Sequence, residues 1–199
     1  MEDFETLDFE PLGIGEQLPE GIILHAYHEG AEKHIDLDQE YADSWKVFVF
    51  YPADFTFVCP TELEELAQLY PEFQKENAEI FSVSTDTVFV HKAWHDHSPA
   101  IAKINYPMVA DPTGELCMLF GTYIFEEGLS LRGSFIVDPK GYVRTIEIHD
   151  NNIGRSAREL LRKLRAAKFV DEHGGQVCPA SWEPGNDTLE PGMDLVGKI

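Results

Sequence analysis

The stretch KVFVFYPADFTFVCPTELEEL, residues 46–66, contains two changes of hydrophobic pattern. Its first part, residues 46–52, is apolar almost throughout, which is typical of a central strand buried on both faces. After Pro60, leucines and aromatic residues recur at helical spacing, which predicts an amphipathic helix. The stretch therefore predicts a strand, a loop and a helix, and it places Cys59 at or just before the first turn of that helix.

Further strands and helices are predicted on both sides of this stretch. Strands are predicted at 23–29, 33–38, 79–86 and 107–111, and one more on each side of the DPKG turn at 138–141. Helices are predicted at 88–96, 114–121 and 156–175. The first two strands are predicted to form a β-hairpin around Gly30. This order of elements predicts an α/β, thioredoxin-like fold with a mixed central sheet and an extended C-terminal arm.

Composition and charge restrict the function. The 199 residues suit one compact domain, which we expect at 21–173, between an acidic N-terminal arm at 1–20 and a C-terminal arm at 174–199. The net charge of −21 disfavours binding to nucleic acid or to an anionic membrane, because both would be repelled. No apolar run approaches the ~20 residues of a membrane helix, and the N-terminus does not resemble a secretory signal. We therefore expect a soluble, cytoplasmic protein.

The three cysteines are few, odd in number and never at C-x-x-C spacing, which argues against a disulfide scaffold, a thioredoxin-type dithiol and a zinc ribbon. At a helix start, unpaired amides and the helix dipole favour a thiolate, so Cys59 is a candidate nucleophile. Thr56 could direct its hydroxyl at the sulfur, and Pro52 could shield the loop from water. The alternative is that Cys59 is a small buried apolar side chain, and its location alone does not decide between the two.

Pro52, Thr56 and Cys59 form the pattern P-x-x-x-T-x-x-C, and FYPADFTFVCPTE resembles the active-site loop of the peroxiredoxins. The segments STDTVFVHKAWH, LRGSFIVDPKG, GRSARELLRKLRAA and GQVCPASWEPG are similar to parts of the typical 2-Cys group. The closing DLVGKI is similar to the bacterial alkyl hydroperoxide reductase C subunits. The resemblance extends from about Trp45 to Ile199.

The resemblance implies a thiol peroxidase that reduces hydrogen peroxide and organic hydroperoxides. Cys59 matches the peroxidatic cysteine, which becomes a sulfenic acid, and Cys178 matches the resolving cysteine, which forms a disulfide with it between subunits. Thr56 would bind the peroxide, Arg132 would stabilise the thiolate, and Glu62 would hold Arg132. The alternatives are a surface arginine, a solvated glutamate and an idle thiol in the tail.

The resemblance also implies partners. It implies a homodimer that assembles into a decamer. The segment GIGEQ at 13–17 neither follows a strand nor opens a helix, so we expect no bound flavin or NAD and no other cofactor. Electrons must then come from a flavoprotein disulfide reductase or from a thioredoxin-like protein.

Other interpretations stay open at this point. A ring of this fold could act as a holdase chaperone, and a general disulfide oxidoreductase is disfavoured by the missing C-x-x-C motif. Cys117 is expected to pack in the core, and the basic residues between Arg155 and Lys168 are expected on the exposed face of a helix. His91 and His95 have the i, i+4 spacing of metal ligands, but only His97 accompanies them, so we expect no metal site.

Overall fold

The computed structural model of the chain describes residues 10–198, so residues 1–9 of the predicted acidic arm lie outside the described residues. The chain divides into two compact units, one that extends to Ala157 and one that begins at Arg158. The predicted division into an N-terminal arm at 1–20, a domain at 21–173 and a C-terminal arm at 174–199 stays a prediction.

The first unit is built on a seven-stranded sheet of order β2-β1-β5-β4-β3-β8-β9, and β6 pairs with β7 in a separate small ladder that was not predicted. The strands are β1 (Ile23–His28), β2 (Ala31–Asp36), β3 (Trp45–Phe50), β4 (Ala78–Ser84), β5 (Met108–Ala110), β6 (Tyr123–Ile124), β7 (Leu129–Ser130), β8 (Arg132–Val137) and β9 (Val143–His149). β3, β4 and β5 pair in parallel, whereas β1 with β2, β1 with β5, β3 with β8 and β8 with β9 pair antiparallel. The mixed sheet confirms the predicted thioredoxin-like α/β fold.

Five α-helices accompany the strands in the described part of the chain. They are α1 (Leu37–Glu40), α2 (Cys59–Lys75), α3 (Val88–His97), α4 (Glu115–Leu119) and α5 (Ala157–Glu172), with short 3₁₀ turns at Ile101–Lys103 and Met193–Leu195. The helices at 88–96 and 114–121 are confirmed with small changes at their ends. α5 ends at Glu172 rather than at 175. No helix within residues 10–198 combines the length and apolar character that crossing a membrane requires.

β3 lies at the centre of the sheet, and all six of its residues are buried, as its apolar sequence predicts. Its phenylalanines belong to an aromatic cluster in which Phe48 and Phe120 have ring centroids 4.9 Å apart and Phe120 and Phe135 4.8 Å apart. Burying each such ring stabilises the fold by about 1.5–3 kcal/mol. The strand that leads into the Cys59 loop is therefore a rigid support.

α2 begins at Cys59, with Pro60 in its first turn, where a missing amide donor costs no helical hydrogen bond. One stripe of the helix is buried, and it consists of Cys59, Glu62, Leu63, Leu66, Tyr70 and Phe73. The apolar members pack the helix onto the unit, and the same spacing turns the thiol and the carboxylate inward.

The second unit consists of α5 and the segment that follows it. Beyond α5 the described chain has only a bridge between Val177 and Leu189 and the turn at Met193–Leu195, which fits the predicted extended arm. Trp182 anchors the segment, because it is 3% exposed and its ring lies 4.8 Å from that of Phe169.

Candidate active site

The Cys59 sulfur lies against an arginine. Cys59 is fully buried at the first position of α2, and Arg132 Nη1 donates to its Sγ at 3.3 Å. Antiparallel pairing of β3 with β8 explains this contact, because it brings the beginning of β8, where Arg132 lies, to the end of β3 that leads into the Cys59 loop. Strand pairing thus joins two residues that are 73 positions apart.

Glu62 holds this arginine and a second one. Its Oε2 accepts from Arg132 Nη1 at 2.6 Å, and its Oε1 accepts from the backbone N–H and the Nε of Arg155 at 2.7 and 2.9 Å. The side chains of Glu62, Arg132 and Arg155 are only 4%, 3% and 6% exposed. Burial acts to raise the pKa of Glu62, but the hydrogen bonds and charge of Arg155, with the charge of Arg132, outweigh it and hold that pKa below its usual value.

This cluster has an excess of positive charge next to the sulfur. Two guanidinium groups share one carboxylate, which leaves one uncompensated positive charge in a site that water hardly reaches. Charges interact more strongly in such an environment than in water. The arrangement therefore favours an anion at Cys59 Sγ and on an oxygen that approaches it.

Arg155 is the site residue that the sequence analysis missed. It was assigned to the exposed basic face of a helix, and this assignment is wrong, because Arg155 precedes α5 and is buried on Glu62. Its Nη1 also donates to Gly133 O at 2.6 Å. The only signal in the sequence is that this arginine lies between a glycine and the helix start rather than inside the helical pattern.

The loop before Cys59 is compact. Pro52 is buried, and the Thr56 hydroxyl donates to Ala53 O at 2.9 Å. The hydroxyl hydrogen therefore points into the loop and not at the sulfur, and a role of Thr56 towards peroxide stays a prediction. Phe55 adopts a left-handed backbone conformation with φ of 55°, which is unfavourable for a bulky residue and is held by the surrounding loop.

A buried hydrogen-bond network supports this loop from beneath. Tyr51 donates its hydroxyl to Asp54 Oδ1 at 2.7 Å, and Asp54 Oδ2 lies 2.8 Å from His91 Nδ1. The other ring nitrogen of His91 lies 3.1 Å from Val109 O, so it must carry a hydrogen. The contact between Asp54 and His91 then holds one shared proton, and burial raises the pKa of Asp54.

The network also decides the metal-binding alternative at His91. Both of its ring nitrogens contact protein oxygens, and His95 Nε2 lies 3.3 Å from Ile104 O, so this i, i+4 pair has no free ligand atom on His91. The expectation of no metal site stays a prediction, but a second group of potential ligands occurs in the described part of the chain. His25, Glu32 and His34 bring one ligand atom each within 4.8 Å of one another.

All three cysteines are free thiols. Cys117 packs in the hydrophobic core, as predicted, and burial, together with the charge of Asp111, raises the pKa of its thiol. Cys178 lies in the second unit, where it is half-buried and its Sγ is 3.9 Å from Ala166 O. Burial raises the pKa of Cys178, and the charge of Arg162 opposes that effect.

A thioredoxin-like sheet with a cysteine at the start of a helix and an arginine against its sulfur defines the class of thiol peroxidases called peroxiredoxins. Residues 14–146 match the AhpC/TSA family, and residues 166–194 match the C-terminal domain of 1-Cys peroxiredoxin. The chain belongs to the AhpC/TSA family.

Individual relatives agree with this assignment. Alkyl hydroperoxide reductase C of Pseudomonas aeruginosa is 50% identical over 177 residues, which cover 88% of this chain and 94% of that protein. The crystal structure of Enterococcus faecalis AhpC matches with a TM-score of 0.81 and 46% identity over 85% of this chain and 100% of that one. The reduced 2-Cys peroxiredoxin of Plasmodium vivax matches with a TM-score of 0.86 and 28% identity over 92% and 96%. The protein is a peroxide-reducing thiol peroxidase of the alkyl hydroperoxide reductase C type.

Proposed function

We propose that Cys59 is the peroxidatic nucleophile of this peroxidase. Its thiolate attacks the terminal oxygen of a hydroperoxide, the O–O bond breaks, and an S–O bond forms, so that the cysteine becomes a sulfenic acid. The leaving oxygen takes up a proton and departs as water or as an alcohol. The observation that carries this proposal is the 3.3 Å contact of Arg132 Nη1 with the Cys59 sulfur inside a buried, positively charged site.

The neighbouring residues take supporting roles in this proposal. Arg132 stabilises the thiolate and the charge that develops on the peroxide oxygens. Glu62 acts through Arg132 by holding its guanidinium group in place. Thr56 binds the incoming peroxide after its hydroxyl turns from Ala53 O, and Pro52 shields the loop from water.

We assign the resolving role to Cys178 of a second copy of the chain. Its thiolate attacks the sulfur of the Cys59 sulfenic acid, the S–S bond forms as the S–O bond breaks, and the departing hydroxide takes up a proton and leaves as water. The resemblance of GQVCPASWEPG to the 2-Cys group supports this role, and so does the free, partly accessible thiol. The functional unit would then be a homodimer, and five such dimers would form a decamer.

The cycle closes when a reductase supplies two electrons and two protons to the disulfide. Proteins of this family act on peroxides and depend on such a partner. For this chain we propose a flavoprotein disulfide reductase, with a thioredoxin-like dithiol protein as the other candidate, and a cytoplasmic location. Addition of each purified reductase with its nicotinamide cofactor, followed by measurement of peroxide-dependent cofactor oxidation, distinguishes the two.

Non-reducing gel electrophoresis after one equivalent of hydrogen peroxide tests the roles of both cysteines. Wild type should give a covalent dimer, whereas Cys59→Ser and Cys178→Ser should give only monomer. Cys117→Ser is the matched control and should dimerise like wild type, because Cys117 lies in the core. Peroxide consumption should vanish only in Cys59→Ser.

Two results would contradict the proposal. Monomeric wild-type protein that still consumes peroxide would exclude an intersubunit disulfide through Cys178. Peroxide consumption by Cys59→Ser at the wild-type rate would exclude Cys59 as nucleophile. The holdase alternative predicts instead that protection of an aggregating client protein is unaffected in Cys59→Ser.

A further inference from the structure

The hairpin of β1 and β2 carries three potential metal ligands on one face. Its register places His25 opposite His34 and Tyr27 opposite Glu32. Residues two apart on a strand share a face, and so do partners in an antiparallel pair, so these four residues lie on the same face. The other face of the hairpin points into the core through residues that are at most 2% exposed: Leu24, Ala26 and Ile35. The ligand face is accessible at His25, Glu32 and His34, whereas Tyr27 on the same face is 7% exposed and its ring lies 5.3 Å from that of His95.

The donor atoms of this group are already close together. His25 Nε2 and Glu32 Oε1 are 2.6 Å apart. The rings of His25 and His34 stack with centroids 4.6 Å apart and 13° between their planes. One donor atom from each of the three residues lies within 4.8 Å of the others. Donors around a tetrahedral zinc ion are about 3.5 Å apart. The lone pairs of parallel rings do not converge, so the exposed His34 side chain must turn out of the stack to bind the same ion as His25.

A surface ion pair between His25 and Glu32 accounts for only part of this arrangement. It does not involve His34, whose imidazole lies against that of His25. A cation that accepts both imidazoles and the carboxylate would use all three groups at once. The net charge of −21 favours the approach of any cation to this surface.

We propose that His25, Glu32 and His34 form a binding site for a divalent late first-row metal ion, with zinc as the reference ion. Two imidazoles and one carboxylate suit zinc, cobalt, nickel or copper, and water would complete the coordination. Magnesium and calcium are disfavoured because they prefer oxygen ligands. The bound ion joins β1 to β2 at one edge of the sheet, and strands β5 and β4 separate that edge from β3 and the Cys59 loop. The site is thus distinct from the peroxide chemistry.

Titration of the full-length protein with cobalt tests the proposal, because the visible spectrum of cobalt distinguishes nitrogen and oxygen ligands from thiolates. We expect one equivalent bound without thiolate bands and displaced by zinc. His25→Ala and His34→Ala should each lower the affinity at least about tenfold, since even changes behind a ligand cost that much. The matched control is His149→Ala, because His149 contacts Glu147 at 2.9 Å but belongs to no three-ligand group within residues 10–198.

A second measurement separates loss of metal from loss of structure. Zinc should raise the Tm of wild type and of His149→Ala, the rise should be reversed by a chelator, and His34→Ala should show no rise. His34 is exposed, so its substitution should leave the Tm without metal and peroxide consumption unchanged. Unchanged cobalt affinity in His34→Ala, or a thiolate spectrum that disappears in Cys178→Ser, would overturn the proposal without bearing on the peroxidase assignment.

Discussion

Replacement of Glu62 by glutamine removes one charge from the buried cluster at Cys59 and preserves the shape of the side chain. Glu62 accepts four hydrogen bonds, from Arg132 Nη1 and from the N–H, Nε and Nη2 of Arg155. Glutamine keeps one acceptor oxygen, and its amide N–H groups would face guanidinium donors. The variant therefore leaves two buried guanidinium groups without a counter-charge.

The structure sets the size of the effect. Removal of one partner from a buried ion pair costs about 3–5 kcal/mol. At about 2–4 °C per kcal/mol for a chain of this length, the Tm should fall by about 6–20 °C. Arg132 also loses the group that positions it on the sulfur, and a misplacement of that kind costs about 100-fold in rate. We expect both losses together.

Urea unfolding and stopped-flow measurement of peroxide consumption give the two quantities. Glu64→Gln is the matched control, because Glu64 lies on the same helix but pairs with Lys103 at the surface, where an ion pair contributes about 0–1 kcal/mol. Because the pKa of Glu62 is lowered in the folded state, its stabilisation is present above about pH 4.5 and is lost as the pH falls through the folded value. Glu62→Gln should lack this acid-dependent loss. A cost below 1 kcal/mol with an unchanged rate would refute the argument that Glu62 organises the site.

Three further predictions concern groups outside this cluster. Burial raises the pKa of Glu79 from 4.5 to about 7. The free energy of unfolding should therefore be highest below pH 4.5 and fall by up to about 3 kcal/mol as the pH rises to 7. Urea titrations at pH 5 and 8 should show this difference for wild type and not for Glu79→Gln. Asp54→Asn should unfold within about 1 kcal/mol of wild type at pH 7, because the amide can still accept from Tyr51 and donate to His91 Nδ1. Asp54→Ala should lose about 1–3 kcal/mol by leaving these buried partners unpaired, and equal urea midpoints for the two variants would contradict the role of these hydrogen bonds. Iodoacetamide should label Cys178 in the folded protein well before Cys117, because Cys117 is fully buried. Peptide mass spectrometry measures the two labelling rates, and equal rates would show that the core opens.

The sequence by itself determined the local structure around the active cysteine. The change from an apolar run to helical spacing, with Pro60 at the change, was enough to predict β3, the loop and the start of α2 at Cys59. The same reasoning predicted the β1–β2 hairpin. These features depend on backbone preferences and hydrophobic periodicity, which neighbouring residues set among themselves.

Only the tertiary structure decided which charged and polar side chains meet. Arg155 reads as part of a basic helix face, but it is buried because strand pairing and helix packing bring it to Glu62 across 93 residues. His91 reads as half of a metal pair, but Asp54, 37 residues away, binds its ring. His25 and His34 meet by cross-strand register, which a search for helical spacing overlooks. Whether a charge is buried and paired depends on elements distant in sequence, and local patterns do not contain that information.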